Sequence, residues 1–114
     1  MTKAEEYAYF KKRCLYYRDK YKVVGWHFYF SKDKLVDSRA RNYINLTGRC
    51  MTFTFDTSCD WKSKQDISEV ARHEVIHGLI GRVSVLAEAR FVTKDETTEA
   101  VEAATNHLGE LLPR

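Results

Sequence analysis

The 114-residue sequence has almost no proline, a single residue at Pro113, and no stretch biased toward a few residue types. Without a linker or an internal repeat, a division into two domains has nowhere to fall, and one domain over residues 1–114 is expected. A continuous apolar run is lacking as well. The opening Met1 to Glu6 is polar and leads into a mixed Tyr/Lys stretch, which excludes a signal peptide or membrane span and points to the cytoplasm. The three cysteines, Cys14, Cys50 and Cys59, include no CxxC pair, so reduced thiols are expected rather than a disulfide framework. What is present is a globule's composition, 44% hydrophobic and 31% charged, which argues against disorder. A chain of this length buries roughly two-thirds of its unfolded surface and needs no staple to fold. A bound metal would therefore be functional rather than merely structural.

The net charge of +3 gathers partly in Lys11, Lys12, Arg13, Arg18, Lys20 and Lys22, diluted by Glu5, Glu6 and Asp19. That run suits a solvated helix face, with nucleic-acid contact weak and electrostatic at most. Ala4, Tyr7, Ala8, Cys14, Leu15 and Tyr21 fall loosely at helical spacing, which predicts a first helix over Lys3 to Lys20. Val23 to Phe30 is rich in β-branched and aromatic residues and predicts a strand that ends in a turn near Asp33; Arg39 to Leu46 predicts a second. In Cys50 to Asp56, Met51, Phe53 and Phe55 alternate with Thr52 and Thr54, the pattern of a half-buried strand. Ser63, with Asp66 three positions on, is a helix-starting cap for a helix to about Arg82 whose apolar residues surround much of its circumference. Thr93 and Glu96 form a Thr-x-x-Glu capping box for a last helix through about Leu112. The order predicts an α+β fold, a small antiparallel sheet packed on helices.

His73-Glu74-Val75-Ile76-His77 is an H-E-x-x-H motif inside the segment assigned to a helix on other grounds. Four residues apart, the two imidazoles share one helix face and can reach one zinc ion at roughly 2.0–2.1 Å. Glu74 lies about 100° around the helix, beside the metal without ligating it. Zinc lowers the pKa of its water to about 7, and an adjacent carboxylate can take that water's proton and pass it to a departing amine. Glu74 is the candidate acid/base, while nearby Glu69 and Arg72 have the look of surface charges. Gly78 suits either a close backbone approach or helix packing.

A catalytic zinc takes three protein ligands, so a third must come from elsewhere. Glu96, Glu99, Glu102 and His107 are the candidates downstream. Val101, Ala104, Leu108 and Leu112 define the apolar stripe of the last helix; Glu102 sits near its edge, Glu99 almost opposite, and Glu96 is committed to the cap. Glu102 leads, with Glu99 as the alternative. Cys50 would be the third ligand in a deformylase-like arrangement, which nothing else in the sequence supports.

His73 to His77, the following Leu79-Ile80-Gly81-Arg82 and the acidic Glu96 to Glu102 segment resemble the gluzincin branch of the zincin metallopeptidases, and more narrowly the small metallopeptidases encoded by bacteriophages. The resemblance covers Arg72 to Leu112. It implies a minimal zincin-like fold, an active-site helix, a third ligand Glu on the next helix and a sheet edge that pairs with an extended peptide or protein substrate, a role open to Cys50 to Asp56. The host-cell cytoplasm is the implied location for a phage product. The third His that follows a Gly turn in other zincins is absent, as is the Asn-Glu pair of larger gluzincins. A rival reading is a catalytically silent zinc-binding module that contacts protein or nucleic acid through its basic first helix and aromatic strands; the presence of Glu74 favours the enzyme.

Overall fold

The computed structural model describes the backbone of residues 1–88 and 94–114, and the side chains of 1–81, 94–96 and 98–114. Helix α1 (Lys3–Lys20) opens on a capping box: Thr2 Oγ1 accepts from Glu5 N at 3.1 Å and Glu5 accepts from Thr2 N at 3.0 Å. Its buried stripe is Glu6, Phe10, Cys14 and Tyr17, so Ala4 and Ala8 face water instead of the core. Larger Phe and Tyr side chains win the inner face because they bury more apolar area than alanine. Arg13 turns inward as well, donating to Ser68 Oγ at 3.0 Å, and Arg18 pairs with Asp19. The basic run is thus partly committed within the fold.

Strands β1 (His27–Asp33), β2 (Ala40–Asn45) and β3 (Cys50–Asp56) form one sheet in the order β1-β3-β2. The second and third match the sequence expectation closely. β1 begins four residues later than the β-rich composition suggests, because Lys22 (φ 55) and Gly25 (φ 81) hold left-handed conformations that turn the chain out of α1. β2 and β3 make an antiparallel hairpin closed by Asn45 Oδ1, which accepts from Gly48 N at 2.9 Å. β1 and β3 are parallel, so the sheet is mixed and not the wholly antiparallel one expected. The connection after β1 carries β2 past the position beside β1, and β3 returns between them. Asp56 fixes that path, accepting from Leu35 N at 2.9 Å and from Ser58 Oγ at 2.8 Å.

One face of the sheet, with Met51, Phe53 and Phe55 at its centre, joins Phe10, Cys14, Tyr17, Ile67, Ala71 and Val75 in the core. Helix α2 (Lys64–Glu88) packs against α1, β2 and α3 (Lys94–Leu111), which is why its apolar residues surround it. The architecture is α+β. None of the described helices is long and apolar enough to cross a membrane.

Candidate metal centre

Ser63 caps α2 as its sequence suggests, its Oγ accepting from Asp66 N at 3.2 Å. Asp66 also takes a two-pronged ion pair from Arg39 at 2.7 and 3.1 Å, tying the helix start to the entry of β2. The helix approaches the sheet closely at two glycines. A Cβ on Gly78 would lie 2.7 Å from Met51 Sδ, and one on Gly81 only 1.8 Å from Ile44 Cδ1. Gly78 therefore serves close approach, and the stretch of α2 carrying the motif is drawn onto β2.

That approach presents His73 and His77 to α3, with ring centroids 4.9 Å apart. Glu102 meets both: Oε2 lies 3.3 Å from His73 Nε2 and Oε1 lies 2.6 Å from His77 Nε2. The three side chains form a set of possible metal ligands whose donor atoms all lie within 4.8 Å of one another. Glu102 is brought in because the inner face of α3 is turned from the predicted stripe. Thr105, not Ala104, is buried, and its hydroxyl donates to Val101 O at 2.7 Å, so no polar atom is left unpaired. Glu102, three residues before Thr105 and seven before Gly109, shares that face.

Arg72 holds α3 in place and is not the surface charge that composition suggests. It is 4% exposed. Its Nε donates to Tyr21 Oη at 2.7 Å, and Nη2 donates to the carbonyls of Gly109 at 2.6 Å and Leu112 at 2.8 Å. Those carbonyls belong to the end of α3, where a helix has no internal donors left. Gly109 leaves room, since a Cβ there would sit 3.3 Å from Arg72 Nη1. Tyr21 Oη in turn donates to Pro113 O at 2.7 Å, and Arg114 pairs with Glu69, so the chain after α3 is fastened to both α1 and α2.

Glu74 is 8% exposed and lines the same cleft as the two histidines and Glu102. Burial, reinforced by the Glu102 charge, raises its carboxyl to a pKa of about 8. Burial lowers the basicity of His77, against the pull of Glu102. The Cys14 thiol, behind Glu74 in the core, is pushed well up by burial and by the Glu74 charge. The cleft measures about 1110 Å³ and is walled by β2 from Ala40 to Ile44, by α2 and by Val101, Glu102 and Thr105 of α3. Asn42 of β2 donates to Glu74 O at 3.4 Å, and its buried Oδ1 has no partner among the described residues.

The remaining candidates lie apart. Glu99 and His107 are exposed on α3 and outside the ligand set. Cys50 is in β3, also outside it. Thr93 of the expected capping box lies outside the described residues, and α3 starts at Lys94. Cys50 to Asp56 is the central strand, paired on both sides, so it offers no edge to a peptide; β2 is the strand beside the cleft whose outer edge is unpaired among the described residues. Pattern alone reads neither Arg72 nor Thr105 as an inward residue, because the groups that satisfy them are not apparent from residue type. Comparison with protein-family models, with curated proteins and with solved structures finds no match to this chain.

Proposed function

We propose that the protein is a zinc-dependent metallopeptidase of gluzincin type, with His73, His77 and Glu102 as the metal ligands and Glu74 as the acid/base. The observation that carries this reading is the meeting of two imidazoles and a carboxylate beside a buried glutamate. Two nitrogens and one oxygen suit zinc. Ligand atoms around a tetrahedral zinc with bonds of roughly 2.0–2.1 Å sit about 3.3 Å apart, and the His73 to Glu102 separation is 3.3 Å. The His77 to Glu102 separation of 2.6 Å is a hydrogen bond that must open by under an ångström.

Zinc held by His73, His77 and Glu102 would supply an acidified water and polarise a peptide carbonyl. The chain's own part follows from placement. Glu74, kept from solvent, takes a proton from the attacking water and returns it to the departing amine. A dication nearby opposes the burial that raises its pKa, so the carboxylate is available near neutral pH. The unpaired edge of β2 gives an extended peptide backbone hydrogen bonds along the cleft. The compartment proposed is the cytoplasm, the host's for a phage-encoded enzyme. The test is chelation and readdition: cleavage of an unfolded protein should stop with chelator and return with zinc. Cleavage that continues in metal-free protein would refute the reading.

A further inference from the structure

The sheet face turned away from the core carries none of the three candidate metal ligands, and of its residues only Arg41 and Tyr43, on the β2 edge, also border the cleft. Strand register sets its residues in three rows, each running β1, β3, β2. The middle row is Tyr29, Thr52, Tyr43, with the two tyrosines 57% and 69% exposed. On one side lie Ser31, Thr54 and Arg41, the two hydroxyls hydrogen bonded at 2.8 Å. On the other lie His27, Cys50 and Asn45, with the His27 ring 6.5 Å from that of Tyr29. No carboxylate stands in the nine positions. Arg49 is exposed beside Cys50 at the end of the rows: its carbonyl accepts from His27 N at 3.0 Å, and its guanidinium lies 4.0 Å from where a Cβ on Gly25 would stand. The next row beyond Ser31 and Thr54 holds two acids, Asp33, which accepts from Lys34 N at 2.8 Å, and the buried Asp56, which accepts from Leu35 N at 2.9 Å.

Folding does not account for the two tyrosines. They stand two interstrand spacings apart, roughly 10 Å, too far to pack on each other across Thr52, and the Tyr43 ring makes no ring contact among the described residues. Thr, as at Thr52, would suit a solvated strand equally well. An exposed face whose nine positions hold separated rings and Arg41 but no acid, with Arg49 at its end, complements an anionic chain bearing flat, unpaired groups.

We propose that this face binds single-stranded nucleic acid, with bases stacking on Tyr29 and Tyr43 and phosphates meeting Arg41 and Arg49. Duplex does not fit, because its bases stack on one another and leave only their edges to read. The ring spacing suits bases splayed apart. A second copy of the chain fits less well, since the centre of the face is threonine and not the apolar core that protein interfaces carry.

The test is fluorescence anisotropy of labelled dodecamers of oligo(dT) and oligo(U), each beside a duplex of the same length, titrated with the full-length protein. Both single strands are expected to bind more tightly than duplex, the comparison of the two showing whether the 2′-hydroxyl contributes. Tyr29→Ala and Tyr43→Ala should each weaken binding about tenfold, while Tyr29→Phe and Tyr43→Phe keep it. Lys11→Ala with Lys12→Ala should change it less than about threefold. Chelating zinc should leave binding intact, which separates this outcome from that of the peptidase reading. Absence of binding at roughly 100 µM protein and low salt overturns the proposal. So does affinity lost in the α1 lysine variants but kept in both alanine variants of the tyrosines, or self-association of the protein that Tyr43→Ala abolishes.

Discussion

At the scale of single residues, Glu74 and Glu102 carry the sharpest consequences. The Glu74 pKa stands at about 8 against an ordinary 4.5, so the unfolded chain ionises first as pH rises. Stability tied to neutral Glu74 is complete below about pH 4.5 and lost as pH climbs through about 8, a loss on the order of 5 kcal/mol at about 1.4 kcal/mol per unit. His77, whose basicity is lowered, acts in the opposite sense below its ordinary pKa, so the informative quantity is the difference between proteins. Metal-free Glu74→Gln is expected to gain stability over wild type between pH 5 and 8, read from denaturant midpoints; parallel curves would contradict the buried, protonated carboxyl. Glu102→Ala should weaken zinc binding by more than about 100-fold, beyond the usual cost of an outer-shell partner, with Glu99→Ala close to wild type. Competition with a chelating dye measures both, and the reverse order would make Glu99 the ligand. Arg72→Ala leaves the Gly109 and Leu112 carbonyls and the Tyr21 hydroxyl without their donor. It should cost on the order of 2–4 kcal/mol and also weaken zinc binding by loosening α3. Arg72→Lys should recover only part, because an ammonium cannot reproduce the fork; thermal melts beside zinc titrations check both effects.

At the scale of elements, the contact between α2 and β2 decides where the histidines lie. Gly81→Ala should be destabilising by about 1–3 kcal/mol from overpacking on Ile44, despite alanine's better helix propensity. Ile44→Val, which removes the clashing Cδ1, should restore most of that loss in the double variant; denaturation showing equal costs in both backgrounds would place the strain elsewhere. These elements differ in how legible they are in sequence. β3 is plain because strict alternation of Met51, Phe53 and Phe55 admits one inner face, and the α2 start is plain because Ser63 and Asp66 act locally. The α1 capping box, Thr2 to Glu5, obeys the same local rule. β1 was displaced because Val23 and Val24 favour strand while Lys22 and Gly25 turn the backbone. Arg72 was opaque for a different reason. Pattern analysis counts a cation as outward, and the carbonyls that make its burial favourable come from a helix end 37 and 40 residues away. Thr105 misled in the same way, since its local bond to Val101 lets a polar residue take a core position and turns Glu102 toward the histidines.

At the scale of the molecule, the chain divides its work between two sides of one sheet. The inner side carries the core, α1 and α2, and α3 closes over the cleft, held through Arg72 and the contacts of Pro113 and Arg114. The proposed third ligand thus sits on a helix whose docking depends on contacts at its far end, and zinc, if it joins Glu102 to α2, should stabilise that docking. Binding to the folded state alone adds about 4 kcal/mol at a thousandfold excess over Kd, so zinc should raise the wild-type melting temperature and leave that of Glu102→Ala nearly unchanged. An equal rise in both proteins would show that α3 is not joined through Glu102. The outer side of the sheet is open and bears the tyrosines. The reading of the cleft as a peptidase turns most directly on one comparison, cleavage of an unfolded protein by wild type and by Glu74→Gln, each loaded with one equivalent of zinc. Wild type should cleave and Glu74→Gln should not, because the amide holds the same place but cannot accept the water's proton; equal cleavage by the two, or none by zinc-loaded wild type, contradicts it.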